Sequence, residues 1–520
     1  MSSRPTRSIA LAAAYVLALS ACTGGSASDD ASGSQESSDA SSSGVATSEA
    51  VPAGFESYYA QEISWESCGD FECATVEVPL DWTDASSESI EIAINRAAAS
   101  DQDGKLGSLL INPGGPGGSG LDFLEYFVSY YGDAVAESYD VIGFDPRGVG
   151  SSTAVSCGDG ETLDEFYITD YPFATQADLD ASDERVAEFA AGCEELSGDL
   201  MANVDTVSAA RDMDVIRAVL GDDELNYIGS SYGTQLGATY AQLYPDTVGQ
   251  MVLDGAVDFL LSDIEQGVGQ AEGFEQALTA FIEYCQEDST CPLSSDIETA
   301  REQIGDLATS ALESPLPSGY DDYDVNGNLM VYGIVVTLYS EDSWDYLMQA
   351  IDEVYTYGTA SIFYQLAGFY LDRDSTSGEW TSNSTVAFTA IGCTDGNAGE
   401  EWTIDDQQEL AAAMEEASPT FGWWFASGAG CSAWPWPAHE TIESLDYPDD
   451  ANPILVVGTT GDPATPYAWA ESLTEELGNA QLLTYDGEGH TAYGRSNSCI
   501  DDAVDAFLVD GTMPDSGTVC

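Results

Sequence analysis

The chain has 520 residues, enough for an α/β core that carries a large insertion. It contains 92 acidic and 11 basic residues, and the net charge of −81 repels nucleic acid and anionic lipid, which excludes a polyanion-binding role. Hydrophobic residues form 43% of the chain, so we expect the acidity on the solvated surface of a folded protein and not in a disordered chain.

The N-terminal residues show the pattern of an export signal. Arg4 and Arg7 precede an apolar run over residues 9–19, which is too short to span a membrane as a mature helix. The segment Leu19–Cys22 reads Leu-Ser-Ala-Cys and resembles the bacterial lipobox, in which the cysteine is lipidated and becomes the new N-terminus. A plain signal peptide with a chance cysteine is the alternative.

These features predict a lipoprotein signal peptide over residues 1–21, a lipid on Cys22 and a flexible Ser/Gly-rich tether over residues 22–53. We therefore expect an exported protein at the outer face of the cytoplasmic membrane. Its N-terminal lipid would hold it there, unless it is released. After this leader, no apolar stretch is long enough for a transmembrane helix.

Short apolar runs alternate with helical patterns over residues 54–258, which predicts the first part of an α/β core with a mostly parallel sheet flanked by helices. Residues 259–449 lose this rhythm and predict an inserted helical cap, and the core resumes over residues 450–520. The predicted strands lie at residues 74–78, 90–95, 108–112, 140–144, 225–228, 251–253, 453–457 and 481–485, and a closing helix at 501–508.

A glycine-rich loop, Asn112–Gly118, follows the strand at 108–112 and permits two interpretations. Residues 115–120 satisfy G-x-G-x-x-G between a strand and a helix, and Asp145 follows 25 residues on, as in a dinucleotide-binding site. An exported lipoprotein meets little dinucleotide, and the Pro146-Arg147-Gly148 that follows Asp145 indicates a structural turn. We therefore favour a loop that donates hydrogen bonds to an oxyanion, and expect no cofactor and no metal.

The strongest motif is Gly229-Ser230-Ser231-Tyr232-Gly233, which follows the strand at 225–228 and precedes a helical pattern. This is the G-x-S-x-G nucleophile elbow, in which the glycines allow a tight turn that presents the serine hydroxyl. The context predicts Ser231 as the nucleophile of a serine hydrolase.

A serine nucleophile needs a base, and the chain contains only two histidines. His490 follows the last predicted strand, where α/β-hydrolases place the base, whereas His439 precedes both late strands and is expected to be structural or associated with the cap. Asp462 follows the strand at 453–457 and is the predicted acid. The alternatives are Asp254 and Asp258, after the strand at 251–253.

Acyl transfer also requires N–H donors for the oxyanion. One donor comes from the residue after the nucleophile and one from the glycine-rich loop, so we predict the amides of Tyr232 and Gly115, with Gly114 as the alternative to Gly115.

Ten cysteines follow Cys22, an even number that predicts a disulfide framework in an exported protein. Their spacing suggests sequential pairs, although spacing alone leaves other pairings open. The predicted pairs are Cys68 with Cys73, Cys157 with Cys193, Cys285 with Cys291, Cys393 with Cys431, and Cys499 with Cys520.

Together these segments resemble the secreted bacterial tripeptidyl aminopeptidase family, α/β-hydrolase serine exopeptidases related to prolyl aminopeptidases. The resemblance implies a triad of Ser231, Asp462 and His490, and a TAP-like C-terminal region within residues 450–520. The His-Gly-Gly-Pro-Gly of prolyl aminopeptidases is replaced here by residues 113–117, Pro-Gly-Gly-Pro-Gly, which argues against strict prolyl specificity. The segments that carry the resemblance are residues 73–82, 112–120, 144–150, 227–232, 461–466 and 487–494, with Cys499 and Cys520.

The resemblance implies removal of short peptides from a free N-terminus, with peptides as substrates and a cap that limits their length. A carboxylate in the cap would bind the substrate ammonium, and Asp395 is the candidate. The alternatives are a carboxylesterase or lipase that uses the same triad and a non-catalytic surface-binding lipoprotein.

Overall fold

The computed structural model describes residues 51–170, 173–320, 323–396, 398–399, 402–427 and 430–520. The predicted signal peptide, the lipid site at Cys22 and nearly all of the tether lie outside these residues. Within the described part of the chain, no helix is both long enough and apolar enough to cross a membrane.

Eleven strands are present in the described residues, nine of them in one sheet of order β1-β2-β3-β5-β4-β6-β7-β10-β11. β1, β2, β3 and β5 pair antiparallel, and every pair from β5 to β11 is parallel. The strands are β1 (Glu66–Cys68), β2 (Phe71–Pro79), β3 (Ser89–Ala97), β4 (Gly107–Asn112), β5 (Tyr139–Phe144), β6 (Leu225–Ser230), β7 (Val248–Asp254), β8 (Leu316–Pro317), β9 (Asp324–Val325), β10 (Ile454–Gly461) and β11 (Ala480–Glu488).

Seventeen α-helices lie in the described residues, before, between and after these strands. They are α1 (Glu56–Tyr59), α2 (Gly120–Phe127), α3 (Asp133–Ser138), α4 (Gly160–Tyr167), α5 (Gln176–Ser197), α6 (Thr206–Leu220), α7 (Tyr232–Leu243), α8 (Asp263–Glu287), α9 (Ile297–Glu313), α10 (Gly327–Leu338), α11 (Trp344–Tyr357), α12 (Ser361–Leu371), α13 (Ser384–Asp395), α14 (Ile404–Ala417), α15 (Gly422–Phe425), α16 (Tyr467–Leu477) and α17 (Ser498–Asp510).

The central strands are buried on both faces, and their side chains alternate between two hydrophobic clusters. In β4, Leu109 and Ile111 pack against α2 and α17, while Leu110 faces the opposite cluster with α6 and α7. In β10, Leu455 and Val456 separate in the same way. This alternation is the period of two that a strand imposes, and helices on both faces explain why these strands are nearly continuous apolar runs.

Helices α8 to α15 lie between β7 and β10, and most of them share a second hydrophobic cluster with side chains such as Phe281, Ile334 and Phe363. The buried Val386 and Ala387 of α13 pack instead in the cluster of the core. The first of these helices, α8, is fixed by a capping box in which Ser262 and Glu265 bond to each other's backbone N–H. A small hairpin of β8 and β9, which the sequence patterns did not predict, also lies here.

All five predicted disulfides are present in the structure. The bond between Cys157 and Cys193 ties the loop after β5 to α5, and the bond between Cys393 and Cys431 ties α13 to the segment before β10.

Candidate active site

Ser231 lies between β6 and α7 in a backbone conformation that L-residues rarely adopt, with φ of 57° and ψ of −127°. The turn requires both flanking glycines, because a Cβ at Gly229 would lie 2.2 Å from the carbonyl oxygen of Gly233. The N–H of Ser231 donates to the carbonyl of Asp254 at 2.9 Å. The strained turn is therefore held from the neighbouring strand and leaves the hydroxyl at the start of a helix.

His490 and Asp462 form a buried pair, as the sequence predicts. The imidazole Nδ1 lies 2.9 Å from Oδ1 and 3.0 Å from Oδ2 of Asp462. Because an ionised carboxylate only accepts hydrogen bonds, Nδ1 carries the proton and Nε2 is left as the acceptor. This is the tautomer that a general base for Ser231 requires.

The Asp462 carboxylate is held by further donors from its own loop and from the histidine loop. Oδ1 accepts the N–H groups of Ala464 and Thr465, and Oδ2 accepts the Thr465 hydroxyl at 3.0 Å and the N–H of Thr491 at 3.1 Å. The Thr465 hydroxyl also lies 3.3 Å from His490 Nδ1. Thr465 is thus a residue of the site that the sequence motifs did not indicate, although it stands within the Gly461–Pro466 segment.

Ser231 follows β6, Asp462 follows β10 and His490 follows β11, so all three lie at the carboxyl edge of the parallel strands, where open α/β sheets bind ligands. Gly255, the residue after β7, lies close to the imidazole, because a Cβ there would be 3.3 Å from Cε1 of His490. The N–H of Gly255 donates to the carbonyl of Val457. Since the preceding residue, Asp254, bonds to Ser231, two adjacent residues lie against the elbow and the imidazole.

The glycine-rich loop packs directly on the elbow. A Cβ at Gly114 would lie 2.4 Å from the carbonyl of Ser230, and the Gly114 N–H donates to Oδ1 of Asn112. In the described part of the chain, the N–H groups of Gly115 and Tyr232 have no acceptor. This arrangement favours Gly115 over Gly114 as the oxyanion donor, together with Tyr232.

The structure argues against the dinucleotide interpretation of this loop. The Asp145 carboxylate accepts the Ser119 hydroxyl and the N–H groups of Leu121 and Ser151, so it stabilises the turn and is not free to bind a ribose. A Cβ at Gly117 would lie 2.5 Å from the carbonyl of Ser384 in α13, which covers the loop.

Neither alternative acid has a hydrogen bond to the imidazole among the described residues, and the second histidine lies on the surface. Asp254 directs its carboxylate to the N–H groups of Ala492 and Tyr493, and Asp258 is buried without a hydrogen bond to the imidazole. His439 is exposed on the surface near Asp81.

A TAP-like protein family model matches residues 418–520. The chain is 33% identical over 483 residues to the serine protease Hip1 of Mycobacterium tuberculosis, covering 88% of this chain and 91% of that protein. It is also 33% identical to carboxylesterase B of Mycobacterium tuberculosis over 89% of this chain and 90% of that protein. A tripeptidyl aminopeptidase of Streptomyces lividans is 30% identical over 88% of this chain and 86% of its own length.

The chain belongs to the tripeptidyl aminopeptidase family of α/β-hydrolases. It is therefore a serine hydrolase. A solved serine hydrolase from Cycloclasticus zankles covers 85% of this chain at 14% sequence identity with a TM-score of 0.37, too distant to carry an argument.

The cap of this serine hydrolase contributes aromatic side chains beside the base. The carbonyl of Tyr339 accepts the N–H of His490 at 2.9 Å, and its ring stands edge-on to the imidazole at 5.4 Å. Half-buried Tyr370, Tyr332 and Trp424 continue this row, with successive ring centres 5.2 to 6.4 Å apart. The sequence motifs did not indicate these residues, because the contact with His490 depends on the fold.

The predicted cap carboxylate, Asp395, lies at the end of α13 and reaches the core. Its two oxygens accept the N–H and the hydroxyl of Thr206, and that hydroxyl also contacts the hydroxyl of Tyr232. Burial raises the pKa of Asp395 to about 7, because no basic side chain compensates the loss of water. The elbow residue that follows the nucleophile is thus connected to an acid of the cap.

Proposed function

We propose that this serine hydrolase is an exopeptidase that releases short peptides, foremost tripeptides, from free N-termini through an acyl-Ser231 intermediate. The observation that carries the proposal is the half-buried Asp395 carboxylate, which is linked to the Tyr232 hydroxyl through the hydroxyl of Thr206. The relatives named tripeptidyl aminopeptidase and serine protease support it.

In this reaction Nε2 of His490 accepts the Ser231 proton as the hydroxyl oxygen attacks the scissile carbonyl. Asp462 fixes the imidazole tautomer and stabilises the imidazolium that forms. The N–H groups of Gly115 and Tyr232 stabilise the oxyanion, and each such donor is typically worth about 3 kcal/mol in the transition state. The imidazolium then protonates the leaving amine, and water hydrolyses the acyl-enzyme with His490 again as base.

Asp395 is suited to an ammonium group because its carboxylate has lost water without gaining a basic partner. A substrate N-terminus placed there would form a charge-assisted hydrogen bond in a partly desolvated site, where such bonds are stronger than at the screened surface. The half-buried aromatic row from Tyr339 to Trp424 would pack against the apolar parts of the peptide. Both features lie in the helical segment, which would therefore limit the substrate to a few residues.

The second candidate function is an esterase that uses the same triad, because one relative is named carboxylesterase B. A non-catalytic surface-binding lipoprotein is disfavoured, because such a protein would have no use for a paired His490 together with unbonded N–H groups at Gly115 and Tyr232.

The experiment compares matched peptide p-nitroanilides with free and acetylated N-termini. Acetylation removes the charge, and we expect kcat/KM to fall about 100-fold or more if a charge-assisted bond is lost. Ser231→Ala and His490→Ala should abolish turnover, whereas His439→Ala, a change at the exposed second histidine, should leave it unchanged. Equal cleavage of acetylated peptides, or faster cleavage of long-chain esters, would replace the exopeptidase proposal with the esterase.

We also propose that the enzyme is exported and anchored by a lipid on Cys22. Wild-type protein made in its own cells should partition with membranes, and Cys22→Ala should shift it to the soluble fraction. Complete retention of the variant in membranes would contradict the anchor.

A further inference from the structure

Asp254, the last residue of β7, contacts both the nucleophile turn and the loop of the base. Its main-chain carbonyl accepts the N–H of Ser231 at 2.9 Å. Its carboxylate accepts the N–H of Ala492 at 3.0 Å and that of Tyr493 at 2.9 Å. These two residues follow His490 closely in the chain, so a single residue bonds to both halves of the catalytic pair.

We propose that Asp254 is the positioning residue of the triad, which sets the distance between the Ser231 hydroxyl and the His490 imidazole. The proposal rests on the catalytic roles of Ser231 and His490 proposed above and not on the exopeptidase specificity. Asp254 bonds to main-chain N–H groups and not to the reacting side chains, so it acts through the two groups that it positions.

The histidine loop needs such a support because its backbone is strained. Thr491 has a φ of 65°, in the left-handed region that a β-branched residue avoids. The N–H of Thr491 bonds to Asp462, and the next two N–H groups bond to Asp254. Two carboxylates therefore hold three consecutive N–H groups of the turn, and either one alone would leave part of it free to relax.

The position of Asp254 is costly for a purely structural acceptor. Its side chain is 2% exposed, and burial raises its pKa to about 6, against the lowering effect of the Tyr493 and Ala492 N–H groups and of His490. The titratable groups that face it are His490, Asp462 and Tyr130. A negative charge behind the imidazole also stabilises the imidazolium during attack, which a neutral acceptor would not do.

Asp254→Asn tests the proposal, with Asp254→Ser as a second variant in case the first fails to fold. The matched control is Asp222→Asn, since the Asp222 carboxylate also accepts a backbone N–H, that of Ser108, but at the opposite end of the sheet. Active sites are titrated with a fluorophosphonate, so that kcat is expressed per folded, reactive molecule. A p-nitrophenyl ester serves as substrate, which keeps the result independent of peptide specificity.

We expect kcat per titrated site to fall about 10- to 100-fold in the Asp254 variants, with KM within about twofold, because a small displacement of aligned groups slows the chemical step. The chain has only two histidines, so [15N]histidine labelling gives two imidazole signals that can be assigned. The Nδ1–H signal of His490 should shift or exchange with water, while the ring nitrogen signals of the exposed His439 should stay unchanged.

A kcat within about twofold of wild type in both Asp254 variants, or an equal loss in Asp222→Asn, would overturn the positioning role. The positioning role would also be overturned if the Asp254 variants had a lower melting temperature while kcat per titrated site and the His490 signal stayed unchanged. Ester turnover by Ser231→Ala would instead show that the triad assignment itself is wrong, and the two failures are thereby separated.

Discussion

Asp395 combines a charge with a site that disfavours it. Its pKa is raised to about 7 by burial, so the folded state binds a proton that the unfolded state releases near the ordinary value of 3.8. Between these two values the native protein holds more protons than the unfolded chain, and the free energy of unfolding therefore falls as the pH rises. The site thus lowers stability at neutral pH, which is typical of a residue kept for function.

We expect Asp395→Asn to raise the melting temperature at about pH 8, with the gain disappearing below about pH 3, where the aspartate is protonated in both states. The same variant should raise KM for free-amine peptides about 10-fold or more and leave acetylated peptides unaffected. Differential scanning fluorimetry and steady-state kinetics measure both.

The control for this variant is Asp84→Asn, because the bonds of the exposed Asp84 to the Ser86 hydroxyl and N–H lower its pKa. The pKa of Asp84 is shifted in the opposite direction to that of Asp395, so Asp84→Asn should slightly reduce stability at about pH 8. An Asp395→Asn protein that is no more stable than wild type at this pH, or that binds free-amine peptides normally, would contradict both parts of the argument.

At the residue scale, strand ends and motif order predict Ser231, Asp462 and His490 for one site, and the structure pairs Asp462 with His490. The residues that support them were not predictable as supports. The sequence indicates Asp254 only as an alternative acid, because its bond to the Ala492 N–H joins positions distant in sequence. The sequence does not indicate Tyr339 for the same reason, since its bond to His490 arises only when the cap folds onto the core.

At the scale of elements, α13 connects the cap to the glycine-rich loop Asn112–Gly118, the oxyanion loop. A Cβ at Gly117 would lie 2.5 Å from the carbonyl of Ser384 and 2.9 Å from the backbone nitrogen of Phe388, both in α13. The backbone of Gly117 also has a φ of 94°. The helix can therefore lie this close to the loop only when residue 117 has no side chain.

Gly117→Ala should destabilise the enzyme by about 2 to 4 kcal/mol and lower kcat, because α13 and the oxyanion loop must separate. Gly221→Ala is the matched control: it has a φ of 87° with nothing within 4 Å of its Cβ, so it should cost only about 1 kcal/mol and leave kcat unchanged. Urea denaturation and ester turnover test the pair, and equal effects of the two substitutions would refute the contact.

The disulfide at the end of α13 should contribute more to the free energy of unfolding than a disulfide that closes a short loop. Replacing Cys393 and Cys431 by alanine frees a loop of sequence separation 38, whereas Cys285 and Cys291 are only 6 apart. Loop entropy predicts that the first pair contributes about 1.6 kcal/mol more, within the usual total of roughly 2 to 5 kcal/mol. Chemical denaturation of both double variants measures this, and a larger loss from the 285–291 pair would reject the entropic estimate.

The strands were predictable because β-branched, apolar runs bounded by turn residues are specific at this length. Each predicted run lies within a strand of the sheet, except that the run at 453–457 begins one residue before β10. The arrangement of the cap was not predictable from the sequence. Its helices show a helical period, but the residues that connect α13 to the oxyanion loop are glycine and backbone atoms, which leave no hydrophobic pattern in the sequence. The two-residue strands β8 and β9 are too short to show any period.

At the scale of the whole molecule, the acidic excess acts on stability more than on catalysis. Among the described residues, Arg96, Lys105, Arg147, Arg217 and Arg373 already form ion pairs with aspartate or glutamate. Few cations are left to neutralise the remaining carboxylates of a chain with a net charge of −81. The folded state brings these like charges closer together than the unfolded chain does, and mutual repulsion therefore lowers its stability.

We expect the melting temperature to rise by about 5 °C or more between about 0.1 M and 1 M NaCl, because the Debye length falls from about 10 Å to 3 Å and repulsion across the surface is screened. KCl should give the same increase, since screening depends on ionic strength and not on the cation. Sucrose, which stabilises without screening, provides the control: it should shift the melting temperature equally at both salt concentrations. A melting temperature that stays constant or falls with NaCl would show that the acidic surface is compensated locally, and the argument from self-repulsion would then fail.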